Sequence, residues 1–140
     1  VGGIKITPAD SAFSKCIRER VGYICEKCGC PFPRSSTGLH ASHHHRRGQW
    51  GVRFDPLNAE SLCYGCHSHY GGTEERMRTQ LSDYEYALLL ERKEDIPLAK
   101  MYRKTKGKGD IAKHFRQELA RMVELRELGM TGRIEFEGYL

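Results

Sequence analysis

Two Cys-x-x-Cys pairs, Cys25-Glu-Lys-Cys28 and Cys63-Tyr-Gly-Cys66, bracket a histidine-rich stretch, His40-Ala-Ser-His-His-His45; Asn58 lies between, and His67 directly follows the last cysteine. Each short knuckle lets two thiolates bite one ion without strain, and two knuckles supply the four sulfurs of a closed tetrahedral zinc site. Cys30 could take the place of Cys28, although the two-residue spacing favours Cys28. Cys16 falls on the apolar face of a predicted helix and reads as a small core residue. A closed four-thiolate site has no room for the histidines, so they point to a second, hydrolytic centre. Phosphodiester hydrolysis needs a deprotonated water, stabilisation of extra negative charge on phosphorus, and help for the leaving oxygen. A histidine, with an ordinary pKa near neutrality, can take the first task and one divalent ion the other two.

These side chains need a frame. Thr7-Pro-Ala-Asp10 has the signature of a helix start, and Ala12, Phe13, Cys16 and Ile17 then share one apolar face that ends near Gly22. Leu39 to His45 reads as a strand, with Trp50 to Phe54 as its partner or an extended segment. Asp55 to Asn58 reads as a loop, and the second knuckle leads into a short helix that Gly71-Gly72 stops. Downstream the pattern is helical: a capping box at Ser82-Asp-Tyr-Glu85, an interruption at Pro97, and a basic loop from Arg103 to Gly109. Asp110 then caps a long helix carrying Ile111, Phe115, Leu119 and Met122. The expected fold class is α+β: a small zinc-stapled ββα-metal core over residues 1–81, including an N-terminal helix, and a helical tail over residues 82–140 for DNA contact or dimerisation.

With 39% hydrophobic residues in a chain of 140, the core should be thin, and a structural zinc would add stability that such a core lacks. The net charge of +5 suits a polyanionic partner without identifying one. No apolar run is long enough to span a membrane, and no signal peptide is visible. A cytoplasmic protein is expected, with paired knuckles arguing against a disulfide framework.

The order His43 or His44, then Asn58, then His67 resembles that of the HNH nucleases. More closely, Ala41-Ser-His43, Arg53-Phe-Asp-x-x-Asn58 and Cys63-x-x-Cys66-x-x-His69 resemble the NinG/Rap family of phage recombination proteins. Asp110-Ile-x-x-x-Phe-Arg116 extends the likeness more weakly, so that it covers about residues 13 to 125. The resemblance implies a metal-dependent endonuclease acting on branched recombination intermediates, in the host cytoplasm if phage-encoded, with a structural zinc and a catalytic Mg²⁺ or Mn²⁺. By analogy with the phage endonuclease VII group, His43 is the general base, His67 a ligand of the catalytic ion, and Asn58 the brace of the loop opposite His43. One position departs from the pattern. The residue before the base is commonly an Asp or His that binds metal, and here it is Ser42. Three compensations are open: His43 becomes the ligand and His44 the base, Asp55 bends inward, or His69 completes the site.

For DNA contact the candidates are His45, Arg46, Arg47 and Arg53 in the hairpin and Lys104, Lys106 and Lys108 in the basic loop. A solvated linker explains the lysines equally well. His40 and His114 read as structural or solvent-facing, and Trp50 as a packing residue. Because a two-fold symmetric junction needs paired cuts, a homodimer is the expected working form. A zinc module that binds DNA without cutting it, and an HNH nicking enzyme acting on linear duplex, are the alternatives.

Overall fold

The structure, a computed structural model, describes residues 5–105 and 108–140. It is α+β, with six α-helices and a two-stranded antiparallel sheet among the described residues. Helix α1 (Pro8–Arg20) begins where the sequence signals it: Thr7 Oγ accepts the Asp10 N–H at 3.2 Å, and the Asp10 carboxylate accepts the Thr7 N–H at 2.8 Å. The chain then turns through Gly22 and Tyr23, both at positive φ (71° and 61°), into the first knuckle, which a bridge between Ile24 and Pro31 closes. Strand β1 (Leu39–His43) pairs with β2 (Ala59–Cys63), Leu39 opposite Cys63 and His43 opposite Ala59. Helix α2 (Tyr64–Tyr70) follows β2 without a break, completing a ββα unit.

Trp50–Phe54 is not the partner of β1. Its N–H groups are taken up in successive turns, Val52 to the Gln49 carbonyl (3.1 Å) and Arg53 to that of Trp50 (3.4 Å), so they cannot join a ladder. A short 3-10 turn, Pro56–Asn58, capped by Asp55, then delivers the chain to β2. Nor does β1 reach His45: beyond His43 the backbone bends, and the period-two alternation ends there.

Helices α3 (Glu74–Gln80), α4 (Asp83–Lys93), α5 (Ile96–Thr105) and α6 (Asp110–Glu127) make up the rest. The helical run breaks at Glu94 and Asp95, just ahead of Pro97, which lies in the first turn of α5 where a missing N–H costs no hydrogen bond. Gly109, not Asp110, is the N-cap of α6.

The principal core crosses the boundary expected at residue 81. Phe13 and Cys16 of α1 pack with Phe54, with Phe115 and Met122 of α6, and with Ile134 and Phe136 of the C-terminal segment. Phe13 meets Phe115 edge-on at 5.2 Å between centroids, and Ile134 N–H bonds the Arg20 carbonyl at 2.9 Å. A smaller cluster of Tyr23, Cys25, Leu39 and Leu62 surrounds the knuckles, and a third, with Val52, Met77, Leu81 and Leu89, joins α3 and α4.

Candidate functional site: a four-thiolate cluster beside a histidine groove

The tertiary fold gathers Cys25, Cys28, Cys63 and Cys66, with all four Sγ atoms within 4.8 Å of one another. Zinc–sulfur bonds of about 2.3 Å at tetrahedral angles put sulfurs about 3.8 Å apart, and Cys28 and Cys63 Sγ stand at 3.9 Å. The cluster therefore fits a structural zinc. Burial tends to raise the Cys25 thiol, but the N–H groups of Cys28, Cys63 and Lys27 outweigh it and bring its pKa down to about 7, whereas the thiols of Cys28 and Cys66 are pushed upward by their cysteine neighbours and burial. Cys30 is exposed and outside the cluster; its carbonyl accepts the Cys25 N–H at 2.9 Å. Cys16 lies in the principal core with its thiol on the Phe115 carbonyl (3.3 Å), and burial pushes its pKa up to about 12.

Beside this cluster an open groove of about 460 Å³ follows β1, between α1 and the start of α2. Ser11, Ser14, Lys15 and Arg18 of α1 form one wall, Ser36 and Thr37 another, and His40, His43, Arg47 and His67 line the floor and end. Ala41 packs against the α1 core and His43 against Phe13 (5.8 Å between ring centroids), while His40 and Ser42 project from the opposite face, toward α2. Asp10 is the one carboxylate among the residues lining the groove, and Arg53 holds it with a two-pronged ion pair, Nε to Oδ1 at 3.0 Å and a terminal nitrogen to Oδ2 at 2.6 Å.

His43 is held neutral. Burial, helped by the nearby charge of Arg47, lowers its pKa to about 4. Its Nε2 is buried from water and has no hydrogen-bond partner. Asn58 is fully buried and ties down the chain after β1: its side-chain oxygen accepts the His45 N–H at 2.8 Å, its amide donates to the His45 carbonyl at 2.9 Å, and its own carbonyl accepts the His44 N–H. Two amide bonds to one residue's backbone fix the direction in which β1 ends.

Other expected residues lie elsewhere. His44 does not line this groove; it is buried with Nε2 on Gln80 Oε1 at 2.7 Å and borders, with His43, a second groove. Asp55 is occupied, capping the 3-10 turn through the Leu57 N–H and pairing with Arg92 at 2.7 Å, and it does not bend toward the histidines. His69 is exposed beside Tyr70; two residues along a helix is about 200° of rotation, so it leaves on the side of α2 opposite His67. Arg53 was expected on DNA and is instead fully buried, bound to Asp10 and stacked on Trp50 at 4.1 Å; it has no exposed nitrogen for a phosphate. Arg47 does line the groove, and His45, Arg46 and Lys93 border that second groove, of about 750 Å³, which meets the first at His43. Lys104, at the end of α5, and Lys108 are exposed, and Lys106 lies outside the described residues.

The residue that sequence reasoning missed is His40. Its Nδ1 stands 2.9 Å from His67 Nδ1, while its Nε2 is 3.2 Å from the Thr37 carbonyl. Strand alternation already put His40 on the Ser42 face, and that was the available signal. No family model, curated protein or solved structure matches this chain.

Proposed function

We propose that the protein is a metal-dependent DNA endonuclease of the HNH kind. The observation that carries this reading is the convergence of His43 from β1 and His67 from α2 on one groove with Lys15, Arg18 and Arg47, whose sole carboxylate is neutralised by Arg53. In this reading His43 accepts the proton of the attacking water through Nε2. A phosphate anion entering the groove raises its pKa from the low resting value toward neutrality, because opposite charge favours the imidazolium. Arg47 and the α1 cations hold the flanking phosphates, and Asn58 keeps His43 pointed at the scissile bond through the His45 backbone. A divalent ion held at His67 would neutralise charge on the phosphate and the leaving oxygen. The thiolate cluster takes no part in the chemistry and fixes α2 against the hairpin. A branched recombination intermediate as substrate, and a homodimer as working form, follow from the resemblance to NinG/Rap proteins.

Two observations favour the runner-up, a zinc module that binds DNA without cutting: Ser42 replaces a metal-binding residue, and His43 Nε2 is closed to water. Incubating the protein and His43→Ala with a labelled four-way junction and a matched duplex, in Mg²⁺, Mn²⁺ and Ni²⁺, separates them. Junction cutting that is lost in the variant is the expected result. Salt-sensitive binding by both proteins with cutting by neither would sink the nuclease reading.

A further inference from the structure

We propose that His40 is the second protein ligand of the ion at His67, and that this imidazole pair selects a borderline transition ion of the Co²⁺ or Ni²⁺ type over Mg²⁺. The inference rests on the reading of His67 given above, but assigns a residue outside the HNH pattern and a chemical class of ion.

Three observations meet at this pair. The first is the separation. Two nitrogens bound at about 2.1 Å and at right angles to each other stand about 3.0 Å apart, and the two Nδ1 atoms are 2.9 Å apart. Tetrahedral ligation at the same bond length needs about 3.4 Å, so the pair as it stands suits neighbouring positions of a six-coordinate ion. The second is the tautomer. The Thr37 carbonyl can only accept, so His40 Nε2 at 3.2 Å must carry the proton and Nδ1 is left with its lone pair directed at His67. A carbonyl on the far nitrogen is how proteins orient imidazoles for metals and raise their basicity. The third is the setting behind the rings. A Cβ placed on Gly71 would clash with the His67 ring and carbonyl and come 2.8 Å from Ser42 Oγ, so glycine is what lets α2 bring His67 this close to β1. Ser42 Oγ, at 1% residue exposure and without a partner, stands next to that ring.

The chemistry of the donors decides the ion. Mg²⁺ prefers oxygen ligands and keeps most of its water, whereas imidazole nitrogen suits Ni²⁺, Co²⁺ and Zn²⁺. The site has two nitrogens and no free carboxylate, since Asp10 is bound by Arg53 and neither Asp55 nor Glu60 lines the groove. The same pair without an ion would be a simple N–H···N hydrogen bond, and that is the outcome to be tested against.

The test uses the zinc-loaded protein, with zinc measured before and after titration. Calorimetry with Ni²⁺ and with Mg²⁺ gives the affinities, and nickel-edge X-ray absorption, which ignores the zinc, counts imidazoles around the bound nickel. The expected result is one Ni²⁺ per chain with the zinc retained, two imidazoles, and binding at least about 100-fold tighter than Mg²⁺. In His40→Ala the imidazole count falls to one and Ni²⁺ affinity drops at least about tenfold. A single imidazole in the wild type, equal Ni²⁺ affinity in His40→Ala, or no Ni²⁺ binding would each overturn the assignment; the wild-type count stands even if the variant folds poorly. Two bound imidazoles with no DNA cutting in any ion would uphold the pair and refute the nuclease, while cutting with one imidazole would do the reverse.

Discussion

Substituting Asp10 with Asn removes the charge opposite Arg53 while keeping a side chain that can still cap α1. Arg53 is fully buried and Asp10 is 7% exposed, so water can do little to rescue the stranded guanidinium. Breaking a buried pair by removing one partner costs about 3–5 kcal/mol. The carbonyls of Lys5 (2.9 Å) and Arg47 (3.4 Å) still accept from Arg53, and Trp50 still stacks on it, which argues for the lower end, about 3 kcal/mol. For a domain of this size that is a fall in Tm on the order of 10 °C. Thermal unfolding followed by circular dichroism at pH 7 measures it, with Arg53→Met and the double variant completing a cycle. The double variant should lose much less than the sum of the singles, because no uncompensated charge remains. Burial raises the Asp10 carboxyl, but bonds from Arg53 and Thr7 outweigh it and hold the pKa below 3.8. A depressed folded value means the contribution is present above pH 3.8 and is lost only as pH falls through the lower value, so the wild-type advantage persists at pH 4.5. A Tm change below about 3 °C, or additive losses in the cycle, would refute the claim that this pair ties α1 to the turn behind His43.

Acid should weaken the fold early. Because His43 titrates near 4 when folded and at its ordinary 6.5 when unfolded, its stabilising share is complete above pH 6.5 and falls by up to about 3 kcal/mol toward pH 4. Urea melts at pH 7, 5.5 and 4.5 read it, and a flat profile would remove the argument for a buried neutral imidazole. Gly71→Ala should cost about 1–3 kcal/mol through its clash with the His67 ring and should displace that ring's NMR signals; an unchanged histidine spectrum would contradict the packing. Stripping zinc, by chelation or by Cys63→Ser, should expose the segment from Cys25 to Gly38 to protease while most helical signal remains, because the principal core contains none of the four ligands. Complete loss of helicity would show the thiolate cluster to be the centre of the whole fold.

Local chemistry was legible in the sequence wherever short-range spacing sets the outcome. The Thr7 and Ser82 capping boxes, the α6 stripe and the paired knuckles depend on residues three or four apart, and all appear in the structure. What could not be read was which polar group meets which across the chain. Arg53 looks like any hairpin cation until Asp10 arrives from α1, 43 residues away, to neutralise it. Asp55 is drawn off by Arg92 in the same manner. Trp50–Phe54 reads as a strand partner or an extended segment because it is as apolar as a strand, and only its turn bonds reveal that it is neither. His40 reads as structural or solvent-facing because its place on the strand names no partner, and its meaning depends on His67 standing opposite.

The groove has two walls with different sources of rigidity. His43 packs on Phe13 of α1, part of the principal core, which α6 and the C-terminal strap of Ile134 and Phe136 close from behind. His40 and His67 belong to the side held by the knuckles, where Leu39, Leu62 and Cys25 form only a small cluster. The sheet that joins them has just two strands, and a hairpin of that size has little stability of its own. The spacing between His43 and the His40–His67 pair is therefore set jointly, by aromatic packing on one side and by the four thiolates on the other. This division explains why so much of the helical part is needed for a groove whose histidines lie on the hairpin and α2. Without α6, α1 loses its backing and the His43 wall moves. Without metal at the cysteines, α2 is free to swing His67 away while His43 stays in place.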